Sequence, residues 1–340
     1  KALTYTVQDV STEEITQARE LNVMNSLSGK VAGLSINRSG SGVGGSTRVV
    51  LRGNRSISGD SQPLYIVDGV PAKGIETLNP DDIASINVLK GPNAAALYGS
   101  RANNGAIVVT TKRGSADGFK VSLNTSYMFD NPLILTNYQN VYGQGSNGNY
   151  SPTSEFSWGP KMDGSSVAFW SPDPNSNIDS YEFSPQPNNI KDFYQTGHNL
   201  ATTLAISGGN EKNQTYFSYT YTDAAGVVPN NELGRHSINL RITNKLTDKL
   251  TLDSNPYWPL NRNLSKDTFD RIIAFTSANY EISEGFTVMA RASLDRTFGV
   301  SEEKLYNDTY IIAQNGRFSV GQSESMEINT DFLISYEKTL

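Results

Sequence analysis

Two hydrophobic periods divide the chain near Gly118. Beyond that point apolar and polar residues alternate with period two, the pattern of an extended strand with one apolar face. In FKVSLNTSYMF, Phe119, Val121, Leu123, Tyr127 and Phe129 share one face, and Lys120, Ser122, Asn124 and Ser126 the other. HNLATTLAIS sets Leu200, Leu204 and Ile206 against Asn199, Thr203 and Ser207, and RHSINLRIT sets Ile238, Leu240 and Ile242 against Ser237, Asn239 and Arg241. FTVMARASLD opposes Phe286, Val288, Ala290, Ala292 and Leu294 to Thr287, Arg291, Ser293 and Asp295. MEINTDFLISYE opposes Met326, Ile328, Phe332, Ile334 and Tyr336 to Glu327, Asn329, Asp331 and Glu337. Each run is about ten residues long, the length of a tilted membrane-spanning strand.

The connections alternate as well. GGNEKN (208–213), NKLTDK (244–249) and SEG (283–285) read as tight polar turns. Long irregular loops are expected at 130–197, 223–234 and roughly 296–325. Short turns at one end and long loops at the other are the pattern of an outer-membrane barrel, and Tyr127, Phe129, Tyr280, Phe286 and Tyr336 suit its interfacial girdles. A lipid-exposed sheet must close, because an open edge strands N–H and C=O groups in hydrocarbon. A soluble β-sandwich also alternates. Its core would have to bury Arg291, Asp295 and Asp331, whereas a barrel turns them toward water or a plug.

One stretch breaks the pattern. In LTLDSNPYWPLNRN the strand that begins at Leu250 is expected to stop at Pro256 and Pro259, because proline cannot donate to a ladder. About nine strand candidates follow Gly118, with KLYNDTYIIA (304–313) the least regular, against the even count of bacterial barrels. The expectation is a piece of a longer chain, with residues missing around Asn255 and after Leu340.

Before Gly118 short strands and helices mix, over a length common for one α+β domain. LTYTVQDV reads as a strand that opens the chain without a signal segment, so a mature or truncated start is expected. STEEITQA reads as a helix with Ser11 and Glu14 at capping-box spacing. NVMNSLSGKVAGL continues with helical spacing at Val23, Leu27 and Val31 and stops at Gly33. TRVVLRG, QPLYIVDGV, IASINVLKG and GAIVVTTKRG are strand candidates, each ended by a breaker or a turn. The division is therefore an α+β domain over 1–117 and antiparallel strands over 118–340.

Composition narrows the chemistry. A net charge of -6 over 340 residues gives no general pull toward nucleic acid. With no cysteine, disulfides and thiolate metal sites are excluded, and two histidines are too few for an imidazole cluster. No apolar run reaches the ~18 residues of a membrane helix. No Ser-His-Asp set suggests an enzyme, and the Asp81-Asp82 pair in NPDDIASI reads better as the start of a helix or strand. In DPNSNID, Asp173, Asn175, Asn177 and Asp179 alternate as oxygen ligands of calcium do, but Ile178 stands where the sharp turn needs glycine. A solvated loop is the default there, and no cofactor is expected. Trp158, Phe169 and Trp170 in the 130–197 loop are candidates to stack on a sugar or peptide, or to pack the loop itself.

The stretch LKGPNAAALYGSRANNGAIVVTTKRG (89–114) carries glycines at 91, 99, 105 and 114. It lacks the lysine of a phosphate-binding P-loop and the G-x-G-x-x-G of a dinucleotide fingerprint. A strand, a Gly91-Pro92 turn, a Tyr98-Gly99 element and a Gly105-led strand resemble the plug signature of TonB-dependent outer-membrane transporters. LSGKVAGL (27–34), RVVLRG (48–53) and QPLYIVDGVP (62–71) resemble the SusC-like branch of Bacteroidota. GGNEKNQTYFSYTYTDAAGVV and NPYWPLNRN are similar to early barrel segments of that branch. The resemblance implies an α+β plug followed by an incomplete set of strands of a barrel of about 22. It implies TonB-dependent import of a glycan or peptide across the outer membrane, with a SusD-like surface lipoprotein, TonB and membrane lipid as partners and no covalent chemistry. A SusC-like subunit repurposed as a scaffold in another outer-membrane assembly is the alternative. No TonB box is visible before Lys1. Arg48, Arg52, Arg55, Lys90, Arg101, Lys112 and Arg113 are then available to pair with inward carboxylates such as Glu327 and Asp331. Arg52, beside Gly53, is the leading candidate for a bidentate anchor, and Asp68 is expected to shape a turn with Gly69.

Overall fold

The structure, a computed structural model, describes residues 7–17, 19–38, 42–53, 61–134, 136–169, 179–263, 267–309 and 313–337. The first sheet is built from β1 (Val7–Ser11), followed by helix α1 (Thr12–Thr16), then a separate hairpin β2 (Leu34–Arg38) and β3 (Thr47–Leu51). The sheet continues with β4 (Leu64–Val67), β5 (Val70–Ala72), β6 (Ile83–Leu89), helix α2 (Pro92–Tyr98) and β7 (Ala106–Thr111). Its five strands lie in the order β1-β6-β7-β4-β5, with β4 and β7 parallel.

Alternation along these strands serves two apolar layers. Tyr65, Val67, Ile107 and Val109 join one buried cluster with Val23, Leu27 and Ile75, while Leu64, Ile66 and Ala106 join another with Ala94 of α2. The capping box forms as expected, with the Ser11 hydroxyl accepting from the Glu14 amide and the Glu14 carboxylate from the Ser11 amide. The helix expected over NVMNSLSGKVAGL does not form. Only a 3-10 turn spans Asn25–Leu27, and Gly29 and Gly33 take left-handed φ values of 75° and 74° that end helical propagation. Val23, Leu27 and Val31 still reach the core, because turns satisfy the same inward spacing.

The second sheet is larger. It begins with β8 (Lys120–Asp130), after which a lobe holds the short hairpin β9 (Ser166–Ala168) and β10 (Ser180–Glu182) and helix α3 (Asn189–Phe193). It resumes as β11 (Gly197–Gly209), β12 (Asn213–Ala225), β13 (Glu232–Lys245), β14 (Leu250–Asn263), β15 (Asp267–Ser283), β16 (Phe286–Thr309) and β17 (Ala313–Tyr336). These eight strands are antiparallel neighbours in chain order, and β8 and β17 are the two edges.

Two expectations fail here. β14 runs straight through Pro256 and Pro259. In an antiparallel ladder a residue's N–H points at one neighbour only, and the two prolines, three positions apart, face opposite neighbours. Pro256 keeps its pairing with Ala274 on β15, Pro259 keeps Ser237 on β13, and the register is unchanged on either side. The loop expected over 296–325 is instead the far part of the β16–β17 hairpin, paired from Arg296↔Met326 to Thr309↔Ala313. Apolar alternation fades there while backbone pairing continues, and exposed ion pairs line the ladder: Arg296 with Glu324 at 2.7 Å and Arg317 with Glu303 at 2.6 Å. At ~3.4 Å per residue, 24-residue strands reach far beyond the ~30 Å of a bilayer core. A wet extension needs no apolar face. The loop expected over 223–234 also shortens, to the residues between Ala225 and Glu232.

Candidate functional site: the interface between the small domain and the large sheet

The large sheet is built inside out. Leu123, Phe129, Ile328, Phe332 and Ile334 stand exposed, while Asn239, Arg241, Asp253, Asn255, Arg271 and Asp295 are buried under the small domain. Tyr257 and Ile273 project from that same face into the small domain's core.

The β4–β5 turn sits on this face. Asp68 and Gly69 both take positive φ, 49° and 82°, which is the two-residue hairpin geometry that an Asp-Gly pair favours. A Cβ at Gly69 would also lie 2.1 Å from Nη1 of Arg291 and push that guanidinium aside. The Asp68 carboxylate accepts from the Thr111 amide (3.0 Å), the Thr111 hydroxyl (2.6 Å) and Asn255 Nδ2 (3.2 Å). It also accepts from Nη1 of Arg241 at 2.9 Å. The same guanidinium grips Asp253 through Nε at 3.1 Å and Nη2 at 2.8 Å, so one arginine that is 1% exposed ties two carboxylates together. Arg113 stands 3.6 Å from Asp253 and adds a second positive charge.

Two further pairs continue the array. Arg271 donates to Asp295 through Nε and Nη2 at 2.9 and 2.7 Å, and Asp295 also accepts the Lys73 amide at 3.1 Å. Arg291 donates to Asp331 at 2.9 and 2.7 Å and reaches the Asp68 carbonyl at 3.3 Å. Each pair spans adjacent strands and meets the 68–77 segment. A buried charge is tolerable only when paired in this way.

The NPDD segment makes the second polar contact. It is a 3-10 turn over Pro80–Asp82, capped by Asn79 and leading into β6, so the reading of it as an element start holds. Asn79 donates from Nδ2 to Thr220 (2.6 Å) and Thr203 (3.3 Å), and its amide donates to the Tyr257 hydroxyl at 3.0 Å. Asp81 pairs with Arg19 at 3.1 Å. Asp82 is buried, and its Oδ1 accepts from Tyr216 at 2.9 Å and Ser218 at 2.5 Å, while Oδ2 has no partner among the described residues. Burial pushes this carboxyl up from 3.8 to about 6, against the lowering effect of the two hydroxyls.

The other sequence candidates take varied places. Arg52 and Gly53 lie exposed at a left-handed bend after β3, with φ values of 58° and 84°. The buried bidentate fork is that of Arg241 on Asp253, both on the large sheet, and Arg241 reaches the small domain through one Nη1 contact to Asp68. Arg101 pairs with Glu327 at 3.0 Å, one of the pairings anticipated, whereas Asp331 is taken by Arg291 within the sheet. Gly91, Pro92, Tyr98 and Gly99 frame α2, and Tyr98 packs half-buried on the Leu64–Ile66 layer. Gly105 is confined, because a Cβ would lie 2.6 Å from Leu51 and 2.8 Å from the Leu89 carbonyl. Trp158 is exposed, and Phe169 meets Tyr181 edge-on at 5.9 Å. Arg55, Trp170, Asp173, Asn175 and Asn177 lie outside the described residues, and the Asp179 carbonyl accepts the Phe169 amide at 2.9 Å.

Arg241 was legible as an inward residue of RHSINLRIT. Its partner Asp68 was not, because nothing local links residues so far apart in the chain. Asn79 and Asp82 carried no signal beyond a turn.

A family model described as the TonB-dependent receptor plug domain matches residues 1–106. The TonB-dependent receptor P39 of Formosa agariphila is 30% identical over 247 residues, 72% of this chain and 22% of the relative. The TonB-dependent receptor SusC of Bacteroides thetaiotaomicron is 27% identical over 277 residues, 78% of this chain and 25% of the relative. Among solved structures, the RagAB peptide transporter superposes with a TM-score of 0.80 at 19% identity, covering 100% of this chain and 46% of that one. The chain spans about a quarter of the length of these curated relatives.

Proposed function

We propose that this chain, which belongs to the SusC-like TonB-dependent receptors, supplies the plug and part of the barrel wall of an outer-membrane importer of glycans or oligopeptides. The plug occupies 1–117 and the barrel segment 118–340. A SusD-like lipoprotein closes the outer side, and TonB acts on the plug from the periplasm.

The observation that carries this reading is the polar character of the buried interface. A plug that must shift under load is better held by groups that water can replace than by apolar packing. Asp68, Asn79 and Asp82 meet Arg241, Thr203, Thr220, Tyr216 and Ser218 through hydrogen bonds and one ion pair. Each of these has a hydrated substitute when the plug moves.

The test is uptake by the source bacterium of labelled oligosaccharides and oligopeptides. Import that is lost both on deletion of the full-length receptor and on inactivation of TonB supports the proposal. Import that survives either change overturns it. Copurification of a SusD-like lipoprotein in mild detergent supports the partnership, and its absence removes that part of the reading.

A further inference from the structure

The lobe between β8 and β11 is a built unit. Phe183, 3% exposed, is its centre, with Tyr150 edge-on at 5.4 Å and Tyr181 at 6.4 Å. Gly143 lies so close that a Cβ there would meet the Phe183 ring at 2.3 Å. Bridges at Tyr142↔Lys161 and Gly145↔Ser157 and the β9–β10 hairpin fix the chain around it.

Beside this centre is a cavity of about 420 Å³, within the roughly 300–1,000 Å³ range of ligand pockets. Tyr138, Tyr142, Tyr181, Gln144, Gln186 and Asn189 line it, and none of the described residues lining it carries a formal charge. Trp158 and Phe169 are not among them. Tyr138 and Tyr142 are 60% and 52% exposed, so both are accessible to an incoming molecule.

Two amides are oriented by the lobe itself. Gln144 donates both N–H groups, to the Pro152 and Ser154 carbonyls at 3.1 and 2.9 Å, which leaves its oxygen as an acceptor. Asn189 accepts the Ile190 amide on Oδ1 at 2.8 Å, which leaves its N–H groups as donors. A fixed acceptor, a fixed donor and accessible aromatic side chains match a polyhydroxylated ring, whose hydroxyls donate and accept while its C–H face stacks. A ligand with fixed charges, such as a peptide with free termini, would find no counter-charge among the described lining residues, and an uncompensated charge is costly to desolvate.

We propose that this lobe is a capture site for a neutral oligosaccharide. The proposal rests on the import reading and deepens it, choosing glycan over peptide.

The test is calorimetric titration of the full-length receptor in detergent. The probes are neutral oligosaccharides of α- and β-linked glucose, mannose and xylose, a uronic-acid oligosaccharide, and free-terminus oligopeptides. Expected is binding of at least one neutral sugar, weakened tenfold or more by Tyr142→Ala and by Tyr138→Ala, and largely retained by Tyr142→Phe, which keeps the stacking face. Unchanged melting temperatures exclude unfolding as the cause. The proposal is overturned if no neutral sugar binds, if Tyr142→Ala and Tyr138→Ala leave affinity intact, or if only charged probes bind. Uptake separates the two readings. A sugar that binds but is never imported sinks import and leaves the site standing. A sugar imported by Tyr138→Ala/Tyr142→Ala with unchanged half-saturation sinks the site and leaves import standing.

Discussion

The small domain and the large sheet solve burial in opposite ways. In the small domain Ile66, Ile83, Ile86 and Ile107 are fully buried and polar side chains mostly face outward. In the sheet, Leu123 and Phe332 stand outside while Asn239, Arg241 and Asp295 are enclosed. The first arrangement is set by water around a compact domain. The second requires hydrocarbon outside and a polar neighbour inside. Alternation is common to both, so the period alone says little about which face is buried. Where the charges fall says more.

The largest expected effect is at the junction of the two regions. Arg241→Ala leaves Asp68 and Asp253 buried near each other with only the half-exposed Arg113, 3.6 Å from Asp253, to offset them. The expected loss is about 3–5 kcal/mol of stability, since removing one partner strands the other charges. Thermal unfolding of the full-length receptor in detergent measures it. A loss under about 1 kcal/mol would mean that water already enters the interface and that the contrast between the regions is overdrawn.

Within the small domain the corresponding change is Ile86→Ala, with an expected cost of about 2–5 kcal/mol from lost transfer energy and a cavity. The effect should appear as faster hydrogen exchange across β1, β6 and β7, with β12 to β14 unaffected. Equal loss of protection in both sheets would show that the two regions unfold as one unit.

Asp82 tests the junction through pH. Its folded pKa, about 6, lies above the ordinary 3.8, so the folded state binds the proton more tightly. The stabilising contribution is complete below about pH 3.8 and is lost as pH rises through about 6. Between pH 4.5 and 7.5 that loss amounts to roughly 2 kcal/mol. Asp82→Asn should flatten the dependence, which paired melting curves at the two pH values will read. An unchanged slope would mean that Asp82 is hydrated and not sealed between the regions.

How much of this was legible depended on range. The strands after Gly118 were readable because each repeats a two-residue period over many residues. The plug resemblance was carried by glycines whose role is local, such as the Asp68–Gly69 turn. Pairing across the interface was mostly hidden. Arg241 stands in the same polar stripe as Ser237 and Asn239, with nothing in the pattern to single it out, and only the packed fold brings Asp68 to it. The continuity of β14 was hidden for a different reason. Two prolines in succession suggest a break, and their odd spacing, which spares one ladder at each, matters only once both neighbours are in place.

The smallest expected effect isolates burial from chemistry. Arg317 and Glu303 form the same kind of guanidinium–carboxylate contact as Arg241 and Asp253, at 2.6 Å and 2.8 Å, in the same sheet. Their side chains are 51% and 44% exposed, against 1% and 9% for the inner pair. High dielectric and salt weaken the Coulomb term, and ordering two long side chains offsets much of the rest. Arg317→Ala should therefore change stability by no more than about 0.5 kcal/mol, and added salt should remove even that. A change above about 1.5 kcal/mol that persists in salt would place the far end of the β16–β17 hairpin out of water in the full-length protein. The boundary between the wet extension and the sealed interface would then lie further out along both strands.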